Sequence, residues 1–198
     1  MRRRGGRRGL PFRRRHGRRI LRRGINKNAL PSKIHSDLRR ANQLSEQGDH
    51  INAGVIFEEL AERALDRDLL RHAPMLILQS AQAYVLAGEK EKGINLARKG
   101  LDMLADAHRW GKLNIIGQRL VDTLAANGYT KESKRIQDWL SKTLRGHSTS
   151  RSTLDKARGQ LPPKCPYCGA TIRSDEVSWI DNKSAECAYC GSAVPSSG

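Results

Sequence analysis

All four cysteines of the 198-residue chain lie between residues 165 and 190, as the pairs Cys165/Cys168 and Cys187/Cys190. Two residues between paired cysteines let one tight turn present both sulfurs to a single metal ion, and two such turns complete a tetrahedron. Close pairing of this kind suits a metal in reducing surroundings better than a disulfide framework. Gly169 and Gly191 follow the second cysteine of each pair, so the chain can curl beneath the sulfurs. Thiolates select zinc or iron over magnesium or calcium, and four protein ligands leave no open coordination position. The expectation is one structural Zn2+ held by Cys165, Cys168, Cys187 and Cys190, with iron as the alternative. No cysteine is left over as a nucleophile.

Between the pairs, Thr171 to Arg173 and Val177 to Ile180 favour strands, and Asp181 to Ser184 read as their turn. A segment this short cannot build a sufficient apolar core, so metal binding must contribute much of its folding free energy. Residues 164–194 resemble a zinc ribbon, two metal knuckles joined by a small β-sheet, and 164–198 are read as that module. Trp179 and Tyr189 are read as packing over its core. Lys164, Arg173 and Lys183 are outnumbered by Asp175, Glu176, Asp181 and Glu186. A four-thiolate zinc centre would add further negative charge, so a protein contact suits the module better than a phosphate backbone.

Upstream, residues 32–143 are helical in pattern and repeat with a period of 40 residues, set by Gly48, Gly88 and Gly128. Seven positions earlier stand Ala41, Ala81 and Val121, and four earlier Leu44, Tyr84 and Leu124; five positions later stand Ala53, Gly93 and Ser133. Apolar residues at helical spacing flank each glycine, as in Ala73, Ile77, Ala81 and Tyr84, or Leu113, Ile116, Leu120 and Leu124. Each glycine is expected to end a first helix in the left-handed conformation, and each small residue to let a second helix approach closely. In the third copy Ile136, Trp139 and Leu140 supply the burial while Lys134, Arg135 and Gln137 stay polar, as in a capping repeat.

This pattern resembles the tetratricopeptide repeat, a helix-turn-helix unit that stacks into a superhelix. The resemblance implies a mainly α fold of stacked antiparallel helical hairpins, to which a small β zinc ribbon and a basic tail are appended. It also implies a concave protein-binding groove lined by first-helix positions, here Asn42, Ser45, Gln82, Val85, Gln118 and Asp122. The basic clamp that some members use for a C-terminal carboxylate is not reproduced, because Leu38 stands where a lysine is expected. An internal peptide or a neighbouring subunit is therefore the expected occupant.

Charge is concentrated at the start of the chain. Residues 1–35 carry twelve Arg and two Lys with no Asp or Glu, so +14 of the formal +17 resides there. Residues 1–31 form an arginine-rich tail expected to be flexible when alone. Its candidate contacts to RNA or DNA are Arg2, Arg3, Arg4, Arg7, Arg8, Arg13, Arg14, Arg15, Arg18, Arg19, Arg22 and Arg23. Docking to an acidic protein and service as a targeting segment are the other uses such a tail has. Residues 144–163 read as a linker, stopped by Pro162 and Pro163, across which the metal module is expected to move. No apolar run approaches the length of a membrane span, and a soluble cytoplasmic chain is expected.

Six histidines are scattered without metal-ligand spacing, and Glu58, Glu59 and Glu62 read as solvated or paired with Arg63. No phosphate-loop, dinucleotide or metalloprotease motif is present. The expected function is therefore a non-enzymatic protein-binding scaffold or adaptor. A nucleic-acid-associated assembly factor anchored by the tail is the alternative.

Overall fold

The computed structural model describes residues 32–147 and 159–197. The tail arginines of residues 1–31, and linker residues 148–158, lie outside the described residues. Among the described residues six helices run in succession: α1 Ser32–Glu46, α2 His50–Asp66, α3 Ala73–Leu86, α4 Lys90–Asp106, α5 Trp110–Ala126 and α6 Thr130–Thr143. Short turns fold them into three antiparallel hairpins, and each helix packs on the next in the chain. Helix α3 is enclosed between α2 and α4, which is why its apolar residues are not confined to one stripe: Met75, Leu76, Ile77 and Leu78 are all buried.

The three turn glycines adopt positive φ, +84° at Gly48, +85° at Gly88 and +82° at Gly128. At Gly88 the N–H of Glu89 donates to the carbonyl of Tyr84 and that of Gly88 to Val85, the paired bonds of a Schellman cap. The same two bonds recur at Asp68 (φ +54°) and His108 (φ +53°), where Leu69 donates to Ala64 and Arg109 to Leu104. Left-handed caps therefore fall at residues 48, 68, 88, 108 and 128, and the 40-residue period divides into equal halves.

The small residues sit where helices approach closely. A Cβ on Gly93 would stand 2.7 Å from Val85 Cγ2 and 3.0 Å from the carbonyl oxygen of Ala81. One repeat later, Ser133 fills the equivalent position and its hydroxyl donates to the carbonyl of Val121 at 3.0 Å. Ala53 is fully buried at the same place in the first hairpin.

The C-terminal module holds a three-stranded antiparallel sheet, β1 Ser178–Trp179, β2 Ser184–Glu186 and β3 Ala193–Pro195, in that order. Trp179 faces Ala185 across β1 and β2, and Ala185 faces Val194 across β2 and β3. The expected strand at Thr171 to Arg173 is reduced to one bridge between Thr171 and Lys164, because Cys165 and Ala170 close the knuckle between them. Residues after the last cysteine, not anticipated as a strand, supply β3. Gln160, placed in the linker by its sequence, pairs with Ser197 and so belongs structurally to the module.

Two apolar clusters form among the described residues. One joins α3 to α6 around Leu101, Leu104, Leu113 and Leu124. The other gathers Leu38, Phe57, Leu60 and Leu76 together with all four cysteines and Val194, so the module shares a core with the first hairpin.

Candidate metal centre

The four cysteine sulfurs lie within 4.8 Å of one another, and all four residues are buried. Cys165 Sγ is 3.7 Å from Cys190 Sγ, and Cys168 Sγ is 3.8 Å from Cys187 Sγ. A disulfide would need about 2.05 Å. A tetrahedron with metal–sulfur bonds of about 2.3 Å has edges of about 3.8 Å, so the donor set has the size of a zinc tetrathiolate.

The two knuckles are built alike. Cys165 N–H donates to the Ala170 carbonyl and Gly169 N–H to that of Cys165; Cys187 N–H donates to Ser192 and Gly191 N–H to Cys187. Positive φ at Gly169 and Gly191, +76° and +69°, turns the chain back under the sulfurs. Their thiol chemistry also fits a cation. Hydrogen bonding from Cys168, then from Cys187 and Cys190, holds the Cys165 thiol well below the usual range, whereas Cys168, sharing its proton with Cys165, is pushed far up. Cys190 is lowered as well and Cys187 raised, so the cluster favours thiolates at two positions and opposes them at the other two, an opposition that a divalent ion at the centre would remove.

The module does not hang free from its linker. Arg39 on α1 donates through Nη2 to the carbonyls of Pro166 and Tyr167 at 3.0 and 2.9 Å, and Asn42 donates to that of Cys168 at 3.1 Å. Lys164 pairs with Glu46 at 2.5 Å. After α2, Arg71 pairs with Glu186 at 2.9 Å. On α5, Arg119 pairs with Asp175 at 2.6 Å and also with Glu176, a carboxylate that is only 5% exposed. The expectation of a module moving independently of the repeats is corrected: it is seated across the first-helix face by backbone carbonyls and acidic side chains.

The groove candidates divide accordingly. Asn42, Ser45, Gln82 and Asp122 line one pocket of about 410 Å³, whose opposite wall is Thr171, Arg173, Glu176 and Tyr189 of the module. Burial is the main cause that pushes the Tyr189 hydroxyl up to about 12, and the neutral phenol donates to Glu176 at 3.2 Å. Gln118 is exposed and donates to Asp122 at 3.2 Å. Val85 is only 1% exposed and packs against Gly93, which makes it part of the hairpin core and not of the groove wall. Arg39, Arg71 and Arg119 were not singled out as groove residues. Their positions carried no signal beyond ordinary surface charge, because the partners are distant in sequence or are main-chain carbonyls.

Outside the cysteine cluster, no group of His, Cys, Asp or Glu among the described residues is arranged to hold a metal ion. Glu59 pairs with Arg63 as expected, whereas Glu58 pairs with Lys92 at 2.7 Å and accepts from Tyr84. Among the described residues no helix is long and apolar enough to cross a membrane. No family model, curated protein or solved structure matches the chain.

Proposed function

We propose that the chain is a non-enzymatic protein-binding scaffold of tetratricopeptide-like hairpins, in which a zinc ribbon around one structural Zn2+ completes the binding face. The reading is supported chiefly by one observation: four first-helix residues, Asn42, Ser45, Gln82 and Asp122, converge on a single pocket closed by the metal module. Amides, a hydroxyl and carboxylates surround this pocket alongside Arg119 and Arg173, a lining suited to the backbone and polar side chains of a short peptide segment.

A photo-crosslinker placed at Gln82 tests this reading against the same group at exposed Glu62. A partner captured from position 82, absent from position 62 and lost on metal chelation is expected. Equal capture from both positions, or capture from neither, would reject the pocket as the binding face.

The charge asymmetry favours a second reading. With +14 in residues 1–35 and about +3 in the remainder, the tail is the principal attraction for nucleic acid and would anchor the scaffold on RNA or DNA. If about six phosphates are contacted, the slope of log affinity against log salt is roughly −4 on single strands and −5 on B-form duplexes. A chain beginning at Ser32 should lose most of that affinity. Equal affinity and slope for both chains would sink this reading.

A further inference from the structure

At the N-terminal end of α5, three cations converge on one open pocket. Arg71, Arg109 and Lys112 line it together with His108, Trp110 and Ser178. Among the described residues, the groups of opposite charge that face Lys112 are Glu186, already paired with Arg71, and Cys187 of the cysteine cluster. Arg109 directs Nη1 to the carbonyl of Arg71 at 2.8 Å, which satisfies hydrogen bonding without neutralising charge. No ion pair to Lys112 is formed among the described residues, although burial and the charges of Arg109 and Arg71 all disfavour its ammonium form. Helix position adds to the imbalance. Lys112 lies in the first turn of α5, where the helix dipole already repels cations, and Arg109 at the cap offers no acceptor to the free N–H groups.

The same pocket has aromatic and apolar lining in His108, Trp110 and Leu70. Trp110 stacks on His147 with centroids 3.9 Å apart and planes inclined at 11°, and His108 approaches Trp110 at 5.4 Å. Leu70 at the rim is 57% exposed. Cations beside aromatic rings form the combination that holds a sugar-phosphate strand while its bases pack alongside.

The geometry points to a phosphate-binding site at Arg71, Arg109 and Lys112 that takes the backbone of a single-stranded nucleic acid. Arg109 and Lys112, which form no ion pair among the described residues, offer a guanidinium fork and an ammonium to the phosphate oxygens, and Arg71 adds a second fork beside its pair with Glu186. This site is separate from the groove pocket and stands whether or not a peptide occupies that pocket. It also gives strand binding a second foothold on the folded body.

Amide and indole NMR signals of the full-length, zinc-loaded chain read this site separately from the tail. The titrants are an oligouridylate of about ten nucleotides, inorganic phosphate and a polyglutamate peptide. The Trp110 indole and the Gly111 and Lys112 amides should shift saturably with the oligonucleotide. In Lys112→Ala the Kd read from those signals should rise about tenfold, while Lys112→Arg retains binding and shows that folding is not the cause. Tail signals that saturate while the Trp110, Gly111 and Lys112 signals stay still would overturn the proposal. So would equal shifts with polyglutamate, or shifts with inorganic phosphate and none with the oligonucleotide.

Discussion

Arg119 on the fifth helix holds Glu176 of the metal module, a nearly buried carboxylate that also accepts a hydrogen bond from Tyr189. Removing the guanidinium leaves that carboxylate buried without a counter-charge. Arg119→Ala is therefore expected to destabilise the fold by about 3 kcal/mol. Glu176→Gln in the same background should recover much of the loss, because the amide carries no charge to strand. Denaturant midpoints for the two single variants and the double variant test this, and strictly additive losses would show that the two groups are not coupled.

Gly93 and Ser133 occupy equivalent positions but should respond to alanine for different reasons. Gly93→Ala drives a methyl to within 2.7 Å of Val85 Cγ2, so α3 and α4 must separate, at about 1–3 kcal/mol. Ser133→Ala keeps the spacing and loses only the bond to Val121, at about 1 kcal/mol. Thermal unfolding of both variants distinguishes a spacing cost from a hydrogen-bond cost.

Asp68 carries a side chain at φ +54°, where Gly48, Gly88 and Gly128 carry none. Asp68→Gly should stabilise the chain by about 0.5–1 kcal/mol, the relief of left-handed strain exceeding the added freedom of the unfolded chain. Gly88→Val should cost about 2 kcal/mol for the opposite reason. A loss of stability in Asp68→Gly would mean that the aspartate side chain itself supports the turn.

Lys112 gives a pH dependence of definite sign. Burial first, then Arg109 and Arg71, push its amine from 10.5 down to about 8. The unfolded chain therefore binds more protons between roughly pH 8 and 10.5, and stability rises with pH across that window. At neutral pH the penalty is fully present, on the order of 1–2 kcal/mol after solvent screening is considered. Lys112→Met should be more stable than wild type by that amount at neutral pH and lose its advantage as pH approaches 10.5. Unfolding free energies of both chains across the range check this, and a constant difference would refute it.

Cys168→Ser removes one of four donors, so zinc content should fall from one ion per chain toward none by elemental analysis. Because the cysteines share a core with Leu38, Phe57 and Leu76, hydrogen exchange should accelerate in the first hairpin as well as in residues 164–194. Helices α4 to α6, which close around their own cluster, should keep their protection.

The sequence made the helical register and the metal donors legible for a physical reason. Gly48, Gly88 and Gly128 are the residues a left-handed cap favours, and closely paired cysteines have few structural uses. The finer beat at Asp68 and His108 was hidden, since those residues serve equally well in ordinary turns. Seating of the module was hidden too. Arg39 and Asn42 bind the carbonyls of Pro166, Tyr167 and Cys168, and every residue has a carbonyl, so no side-chain pattern announces the contact. The pair of Arg119 with Asp175 spans 56 positions, and only the folded chain brings them together.

The metal module touches the array at Arg39 and Asn42 on the first helix, at Arg71 beyond the second, and at Arg119 on the fifth. It thus works as a gauge laid across the rungs of a ladder. Arrays of stacked hairpins ordinarily gain or lose whole units without penalty to their neighbours, since each unit answers only to the next. Here a unit inserted between the first and third rungs would carry Arg119 away from Asp175 and Glu176 while Arg39 stayed at its knuckle. The span of the module therefore fixes the number of hairpins it can bridge, and growth is open only outside the rungs it spans.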